Sequence, residues 1–205
     1  MTRLDVMESV CAAEGGDSKL TSEILKIEGM SSPKVRHLLN NLGSLVDGQP
    51  YVEVGVLKGA TLISAAHGNP GRFIGIDNFS QFDGSKTSVC TNMQAFSSRA
   101  ELMECDFLSL DQLMGDLKPG LIFYDADHTA SALRVAMDKI LPSMMPGSVL
   151  VLDDYNHDPV WSETRDIFWE WIDHLNIRLD LFIQLPARFN GDKELYWNGI
   201  GLALF

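Results

Sequence analysis

The chain alternates between short apolar runs and longer stretches in which apolar positions recur at helical spacing. Seven runs have the length and composition of strands: PYVEVGV, RFIGIDNF, AELMECDF, GLIFYDAD, GSVLVLDDY, RLDLFIQLP and NGIGLALF. Most of them are continuously apolar, which is typical of strands buried on both faces of a parallel sheet. The last two have no helix between them, so the final strand should run antiparallel. We therefore predict an α/β fold with a doubly wound, mostly parallel seven-stranded sheet and an antiparallel last strand.

A helical segment, residues 1–47, precedes this sheet. In its clearest helix Ser32 is a suitable N-cap, Pro33 fits the first helical position and Gly43 fits the end. The helix carries an apolar stripe, formed by Val35, Leu38, Leu39 and Leu42. No linker or repeat divides residues 48–205, so we expect them to form one domain, with residues 1–47 acting as a lid or as the contact of a homodimer.

Composition and charge narrow the class of protein. The 205 residues are 45% hydrophobic and 21% charged, as in ordinary globular proteins, but the net charge is −12 and the pI is near 4.7. Such an acidic chain lacks the electrostatic footprint of a nucleic-acid partner, whereas a small neutral or cationic ligand suits it. The chain has no run of about 18 apolar residues, so we expect no membrane span.

Two further features indicate the compartment. The N-terminus has acids where a signal peptide needs an apolar core. Cys11, Cys90 and Cys105 are an odd, widely spaced set, which is typical of reduced thiols. We therefore expect a cytoplasmic protein.

The first three predicted strands end in residues that suit a nucleoside ligand. In a doubly wound sheet ligands bind beyond the carboxyl ends of the strands. Strand 1 ends in Glu53, followed by Gly55 and Gly59, which allow a ligand to approach the backbone closely. Strand 2 ends in Asp77, where a carboxylate can accept hydrogen bonds from both hydroxyls of a ribose, and strand 3 ends in Asp106, which could bind an exocyclic amine of a base.

The turn after strand 1 distinguishes two kinds of ligand. A dinucleotide site needs G-x-G-x-x-G, so that a diphosphate can lie on the helix N-terminus. This chain has E-V-G-V-L-K-G instead. Glu53 would repel a diphosphate but attract a sulfonium and an α-amino group. The turn therefore favours S-adenosylmethionine over a dinucleotide.

Strands 4 and 5 end in a second set of polar residues. Asp125, Asp127 and His128 follow strand 4, and Asp153 and Asp154 follow strand 5. If these strands are neighbours beside strand 1, their carboxylates repel one another unless a hard cation binds them, and Mg²⁺ suits such oxygen ligands best. Simpler interpretations remain open for each residue: Asp125 or Asp127 as a helix cap, the Asp153–Asp154 pair as a turn, and His128 as a surface side chain.

In this order and spacing, YVEVGVLKGATLIS, FIGID, FYDADH and VLVLDDY resemble the class I S-adenosylmethionine-dependent methyltransferases. More narrowly, residues 48–204 are similar to the metal-dependent small-molecule O-methyltransferases, which act on catechols, caffeoyl-CoA or macrolide sugars. The resemblance implies a Rossmann-like catalytic domain over 48–205 that binds S-adenosylmethionine. It also implies that acids at the ends of strands 4 and 5 bind Mg²⁺ and that a base three residues after the first acid deprotonates the acceptor.

Carried over by position, the resemblance assigns each candidate residue a role. Asp125, Asp153 and Asp154 are the metal ligands and His128 is the base, where the catechol enzymes have lysine and the sugar-modifying enzymes have histidine. The cofactor-binding residues are those at the strand ends: Glu53, Gly55, Gly59, Asp77, Asp106 and Asp125.

The expected reaction is Mg²⁺-assisted O-methylation of a small hydroxylated molecule, a sugar or a phenolic. Three alternatives stay open: a methyltransferase that uses no metal, a protein that binds S-adenosylmethionine without catalysis, and a nucleotide-dependent oxidoreductase. The predicted substrate wall consists of Tyr155, Trp161, Phe79, Phe82 and four residues between the last two strands, Arg188, Phe189, Tyr196 and Trp197.

Overall fold

The computed structural model describes residues 1–46, 48–82, 85–96, 98–106, 117–156 and 163–205. Its centre is a seven-stranded sheet of order β3-β2-β1-β4-β5-β7-β6. The strands are β1 Tyr51–Val54, β2 Phe73–Asp77, β3 Glu101–Glu104, β4 Leu121–Tyr124, β5 Val149–Leu152, β6 Leu181–Leu185 and β7 Ile200–Leu204. β1 to β5 are parallel, and β7 lies antiparallel between β5 and β6. The predicted fold class is thus confirmed.

The register of the central strands places their carboxyl ends at one level. Val54 of β1 is paired with Tyr124 of β4, and Tyr124 is paired with Leu152 of β5. The strand order reverses between β1 and β4, because β2 lies on the other side of β1. In a doubly wound sheet this is the position at which ligands bind.

Helices cover both faces of the sheet. They are α1 Arg3–Glu14, α2 Ser22–Leu25, α3 Pro33–Gly43, α4 Ala60–Ala66, α5 Lys86–Ala95, α6 Ala130–Ile140 and α7 Glu163–His174, with a 3₁₀ turn at Leu141–Ser143. α3 begins as predicted, because the Ser32 hydroxyl accepts a hydrogen bond from the Val35 N–H at 3.3 Å. Among the helices that the structure describes, none has the length and hydropathy of a membrane span.

The cap of α6 is neither of the two aspartates that the sequence left open for this role. The N-cap is Thr129, whose hydroxyl accepts the Ala132 N–H at 3.4 Å, and not Asp127 or Asp125. Asp127 instead accepts the Thr129 N–H at 2.9 Å. The side chains of Asp127 and Thr129 therefore accept the backbone N–H groups at the start of α6. The Asp125 carboxylate caps no helix and lines the cavity beyond the sheet.

The N-terminal segment packs into the same core as the sheet. Val6 of α1 and Leu38 of α3 belong to one buried cluster with Leu121 of β4. Arg36 is a second anchor, because its buried guanidinium donates to the carbonyls of Ile27 and Ala60, among others. Burial lowers the pKa of Arg36 to about 10. The bonds fix the chain before α3 against the start of α4, next to the turn that follows β1.

Candidate active site

A cavity of about 700 Å³ lies beyond the carboxyl ends of the central strands. Its wall includes the turns after β1, β2, β4 and β5, the connection between β6 and β7, and residues 29–31 of the N-terminal segment. Of the predicted cofactor, metal and base residues, those that line it are Gly55, Asp77, Asp106, Asp125, His128, Asp153 and Asp154. The topology thus brings residues from five separate stretches of sequence to one cavity.

Glycines shape the turn after β1. Gly55 has φ +91°, and a side chain there would overlap the carbonyl group of Asp125. Gly59, with φ +84°, is the N-cap of α4 and makes no side-chain capping bond. The turn therefore makes a close contact with the turn after β4, which only glycine permits, and the N–H groups of Gly55 and Gly59 are bonded to the carbonyls of Ile76 and Val56.

Glu53 lies behind this wall. Its carboxyl accepts hydrogen bonds from the Tyr51 hydroxyl at 2.6 Å and the Thr61 hydroxyl at 2.8 Å, and it is fully buried. Burial raises the pKa of Glu53 to about 8. A carboxyl that is mostly protonated at neutral pH offers little charge to a sulfonium. Its contacts instead tie β1 to the first turn of α4.

Replacing Glu53 with glutamine should make stability less sensitive to pH. Because the folded-state pKa is raised from 4.5 to about 8, the contribution of Glu53 is fully present below about pH 4.5 and is lost as the pH rises through about 8. The loss is at most about 5 kcal/mol, since one pKa unit corresponds to about 1.4 kcal/mol. Urea denaturation at about pH 5 and about pH 9 measures it. Equal losses in wild type and Glu53→Gln would contradict the prediction, and Glu8→Gln, on the exposed face of α1, is the control.

Asp77 joins the two turns that flank the cavity. One carboxylate oxygen accepts the N–H groups of Val56 at 2.7 Å and Leu57 at 3.0 Å, and the other accepts the N–H of Phe79 at 2.7 Å. A carboxylate has about four acceptor positions, so capacity for a ligand hydroxyl remains. The exposed Asp106 accepts a hydrogen bond from Asn78 at 3.0 Å at the same side of the cavity.

Carboxylates and an imidazole meet at the ends of β4 and β5. One ligand atom from each of Asp125, His128 and Asp153 lies within 4.8 Å of the others. His128 Nε2 is 3.7 Å from Asp125 Oδ1 and 3.7 Å from Asp154 Oδ2. Asp154 is held by the Asn198 amide, which donates to it at 2.6 Å. The predicted metal and base residues are therefore one contiguous group.

Bringing these acids together has an electrostatic cost. Burial raises the pKa of Asp125 well above its usual range, and the charge of Asp154 raises it further. Burial, followed by the charge of Asp125, raises the pKa of Asp153 in the same way. His128 Nδ1 is buried and has no hydrogen-bond partner among the described residues. Carboxylate oxygens with an imidazole nitrogen form a donor set that suits a divalent cation, which would relieve the repulsion.

Unusual backbone geometry is concentrated around the cavity. Seven non-glycine residues in the described ranges have positive φ, and five of them line it: Leu57, Phe79, Phe82, Asp154 and Trp197. Left-handed backbone is uncommon for such side chains and clusters at functional sites. The wall of the cavity is thus built partly from strained turns.

The predicted substrate wall is correct for only some residues. Phe79, Phe82 and Trp197 line the cavity. Tyr155 and Tyr196 do not, because each is only 1% exposed and belongs to the hydrophobic core. Arg188 forms ion pairs with Asp192 and Glu194 and lies against Phe189, and neither Arg188 nor Phe189 lines the cavity. Trp161 lies outside the described residues.

The sequence pattern does not indicate some residues of the cavity. Gly29, Met30 and Ser31 enter it from the N-terminal segment, and Asn78 and Asn198 enter it from loops. The Ser31 hydroxyl is buried and has no partner among the described residues. These residues follow no helical or strand periodicity, and the only local signal was Gly29 ahead of the Ser32 cap.

The strand order and the cavity at its switch point are those of a class I S-adenosylmethionine-dependent methyltransferase. The sequence profile of the family described as "Methyltransferase domain" matches residues 52–155, which are 104 of the 205 residues. The chain therefore belongs to this methyltransferase family, and the resemblance found in its motifs is confirmed. None of the curated proteins compared with the chain matches it significantly.

Several solved structures share the fold at low sequence identity. Cofactor-bound Rv0187 from MTB is 19% identical, with a TM-score of 0.62 over 97% of this chain and 88% of that one. The O-methyltransferase from Bacillus cereus, solved with S-adenosylhomocysteine, is 18% identical, with a TM-score of 0.60 over 100% and 92%. CalS11, a TDP-rhamnose 3'-O-methyltransferase of calicheamicin biosynthesis, is 18% identical, with a TM-score of 0.59 over 83% and 76%.

Proposed function

We propose that this methyltransferase transfers the methyl group of S-adenosylmethionine to a hydroxyl of a small molecule, a sugar or a phenolic, with the help of a divalent cation. The observation that carries the proposal is the meeting of Asp125, His128 and Asp153 within 4.8 Å at the switch point of the sheet. The O-methyltransferase neighbours support the choice of a hydroxyl acceptor.

The cation would be held by the carboxylates at the ends of β4 and β5. Asp125 and Asp153 offer oxygen atoms from the two adjacent strand ends, and Asp154 follows directly. Mg²⁺ is the expected ion, since hard oxygen ligands suit it. When bound, such a cation supplies polarisation of a coordinated hydroxyl, which eases loss of its proton.

His128 is the proposed general base. Its Nε2 faces the cavity acids, and the nearby carboxylates of Asp125 and Asp154 stabilise the imidazolium that forms when it takes the acceptor proton. Its position on the turn before α6 is held by the contact of its ring with the edge of Tyr124, at a centroid distance of 5.9 Å. The chain thus provides a proton acceptor beside the polarised hydroxyl.

The other end of the cavity is proposed to hold S-adenosylmethionine. Gly55 permits the close approach, and Gly59, which does not line the cavity, would act by starting α4 after the turn. Asp77 and Asp106 offer acceptors for the ribose and the base, and Asp125 would lie between the cofactor and the cation. Glu53 acts through its bonds to β1 and α4. Residues 1–47 also belong to this site in the proposal, because positions 29–31 line the cavity.

One observation favours a metal-free alternative. His128 Nε2 already has two carboxylates at 3.7 Å, so an imidazole–carboxylate network could orient and deprotonate the acceptor without a cation. In that case the activity would survive EDTA.

Crystals soaked with Mn²⁺ and S-adenosylhomocysteine would test the proposal. We expect an anomalous peak within about 2.0–2.6 Å of the Asp125 and Asp153 carboxylates, beside the bound nucleoside. We also expect EDTA to remove the activity and Mg²⁺ to restore it. Bound S-adenosylhomocysteine without a Mn²⁺ peak, with activity that persists in EDTA, would support the metal-free alternative. A cavity that binds neither would overturn both.

A further inference from the structure

The cavity is lined by far more negative than positive side chains. Among the described residues that line it, the acids are Asp77, Asp106, Asp125, Asp127, Asp153 and Asp154. Lys58 is the one lysine or arginine on this wall, and it forms an ion pair with Glu28 at 3.2 Å. The residues outside the described ranges include no lysine or arginine, so they add no such cation.

Two cationic side chains close in sequence to the cavity are engaged elsewhere. Lys86, after the turn that carries Phe82, forms an ion pair with Glu104 at 3.0 Å. Arg188, between β6 and β7, forms ion pairs with Asp192 and Glu194. Neither is among the residues that line the cavity.

The wall also contains large apolar side chains with exposed surface. Phe82 is 75% exposed and Met30 is 47% exposed, and Phe79 and Trp197 are partly buried beside the same space. Aromatic faces bind planar groups by stacking and bind ammonium groups by cation–π attraction. Exposed apolar side chains that line one cavity indicate a ligand surface.

We infer that the acceptor carries no anionic group and that, among acceptors with the same hydroxylated head, the site prefers a positively charged one. This inference rests on the proposed function, since it names the substrate class of the same cavity. Phosphate, diphosphate and carboxylate groups are bound in proteins by arginine, lysine or free backbone N–H groups. With six acids against Lys58, the wall stays net negative even when one divalent cation is bound, so it repels such groups. The acceptor therefore differs in charge from the TDP-linked sugar named for CalS11.

The test uses three catechols that differ only in the charge of the side chain. Dopamine is cationic, 3,4-dihydroxyphenylethanol is neutral and 3,4-dihydroxyphenylacetate is anionic at neutral pH. Affinities are measured by calorimetry with the full chain, saturated with Mg²⁺ and S-adenosylhomocysteine. We expect the amine to bind at least about tenfold more tightly than the acid, with the alcohol between them, and the ratio to fall as salt screens the wall.

A charge substitution at the wall provides the second arm. Gln81 lines the cavity and is exposed, so Gln81→Lys should narrow or reverse the preference, whereas Gln81→Glu should widen it. The two variants place charges of opposite sign at the same position, so an effect that both share cannot come from the sign of the charge.

The outcomes separate this inference from the proposed function. If the amine binds more tightly than the acid but none of the catechols is methylated with S-adenosylmethionine, the charge preference stands and the proposed reaction fails. If the acid binds as tightly as the amine, or if no catechol binds, the inference is overturned. Methylation of the acid at an undiminished rate would overturn it while supporting the reaction.

Discussion

Replacing Asp125 with asparagine should lower the kcat/KM of methyl transfer by at least about a hundredfold, the upper end of what loss of an outer-shell partner costs a metal site. The same change should raise the melting temperature of the metal-free protein. The pKa of Asp125 is raised by burial and by the charge of Asp154. The ionised Asp125 carboxylate therefore lowers stability as the pH rises above the pKa that this group has in the unfolded chain. Each kcal/mol regained corresponds to about 2–4 °C in a domain of this size.

Initial rates with Mg²⁺ and thermal melts in EDTA, both at neutral pH, measure the two effects. Asp173→Asn is the matched control, because Asp173 is exposed on α7 and should change neither quantity. Lower activity together with a lower melting temperature would instead indicate that Asp125 holds the fold, and unchanged activity would remove it from the proposed site.

Replacing Gly55 with alanine should destabilise the protein by about 2–5 kcal/mol. About 1–2 kcal/mol comes from left-handed backbone at φ +91°, and about 1–3 kcal/mol comes from overpacking. An added Cβ would overlap the carbonyl group of Asp125 and come within 3.0 Å of the Ala126 Cα. These are backbone atoms directly after the paired end of β4, and the Asp125 N–H donates to the Val54 carbonyl at 2.8 Å, so they cannot move aside cheaply. We also expect loss of S-adenosylhomocysteine binding, since the same turn lines the cavity.

Gly48→Ala is the control for the backbone contribution alone. Gly48 also has positive φ, at +69°, but an added Cβ would meet nothing within 4 Å. Urea unfolding should therefore show a loss of only about 1–2 kcal/mol for Gly48→Ala. Equal losses at the two positions would show that the contact between the turns is unimportant.

The fold and the position of the acids were predictable because both depend on local pattern. The continuous apolar runs ending in Asp125 and Asp153 identify buried parallel strands, and parallel strands present their carboxyl ends at one edge. Once β4 and β5 are neighbours, the acids that follow them must be close. The confirmed strand order therefore explains why the predicted metal and base residues meet.

The parts of the cavity that were not predicted depend on long-range packing and on how polar groups are satisfied. Met30 and Ser31 line the site, and the buried Arg36 binds the carbonyls of Ile27 before them and of Ala60 in α4, a contact that no periodicity reveals. Glu53 is withdrawn from the cavity by two hydroxyl partners, and Tyr155 belongs to the core although it follows directly after the acids of β5. A glutamate or a tyrosine at these positions would have suited the cavity as well as the core, so residue type alone did not decide between them.

The left-handed backbone at the cavity has a consequence for laboratory evolution. Leu57, Phe79 and Trp197 hold the wall in conformations that glycine adopts more easily, so replacing them with glycine would relieve strain at the expense of the surface that meets ligands. A screen that rewards only heat resistance would accept such replacements, together with the loss of repulsive acids such as Asp125. Mutant libraries intended to raise the thermal stability of this enzyme should therefore keep the cavity turns unchanged and randomise positions on the far side of the sheet.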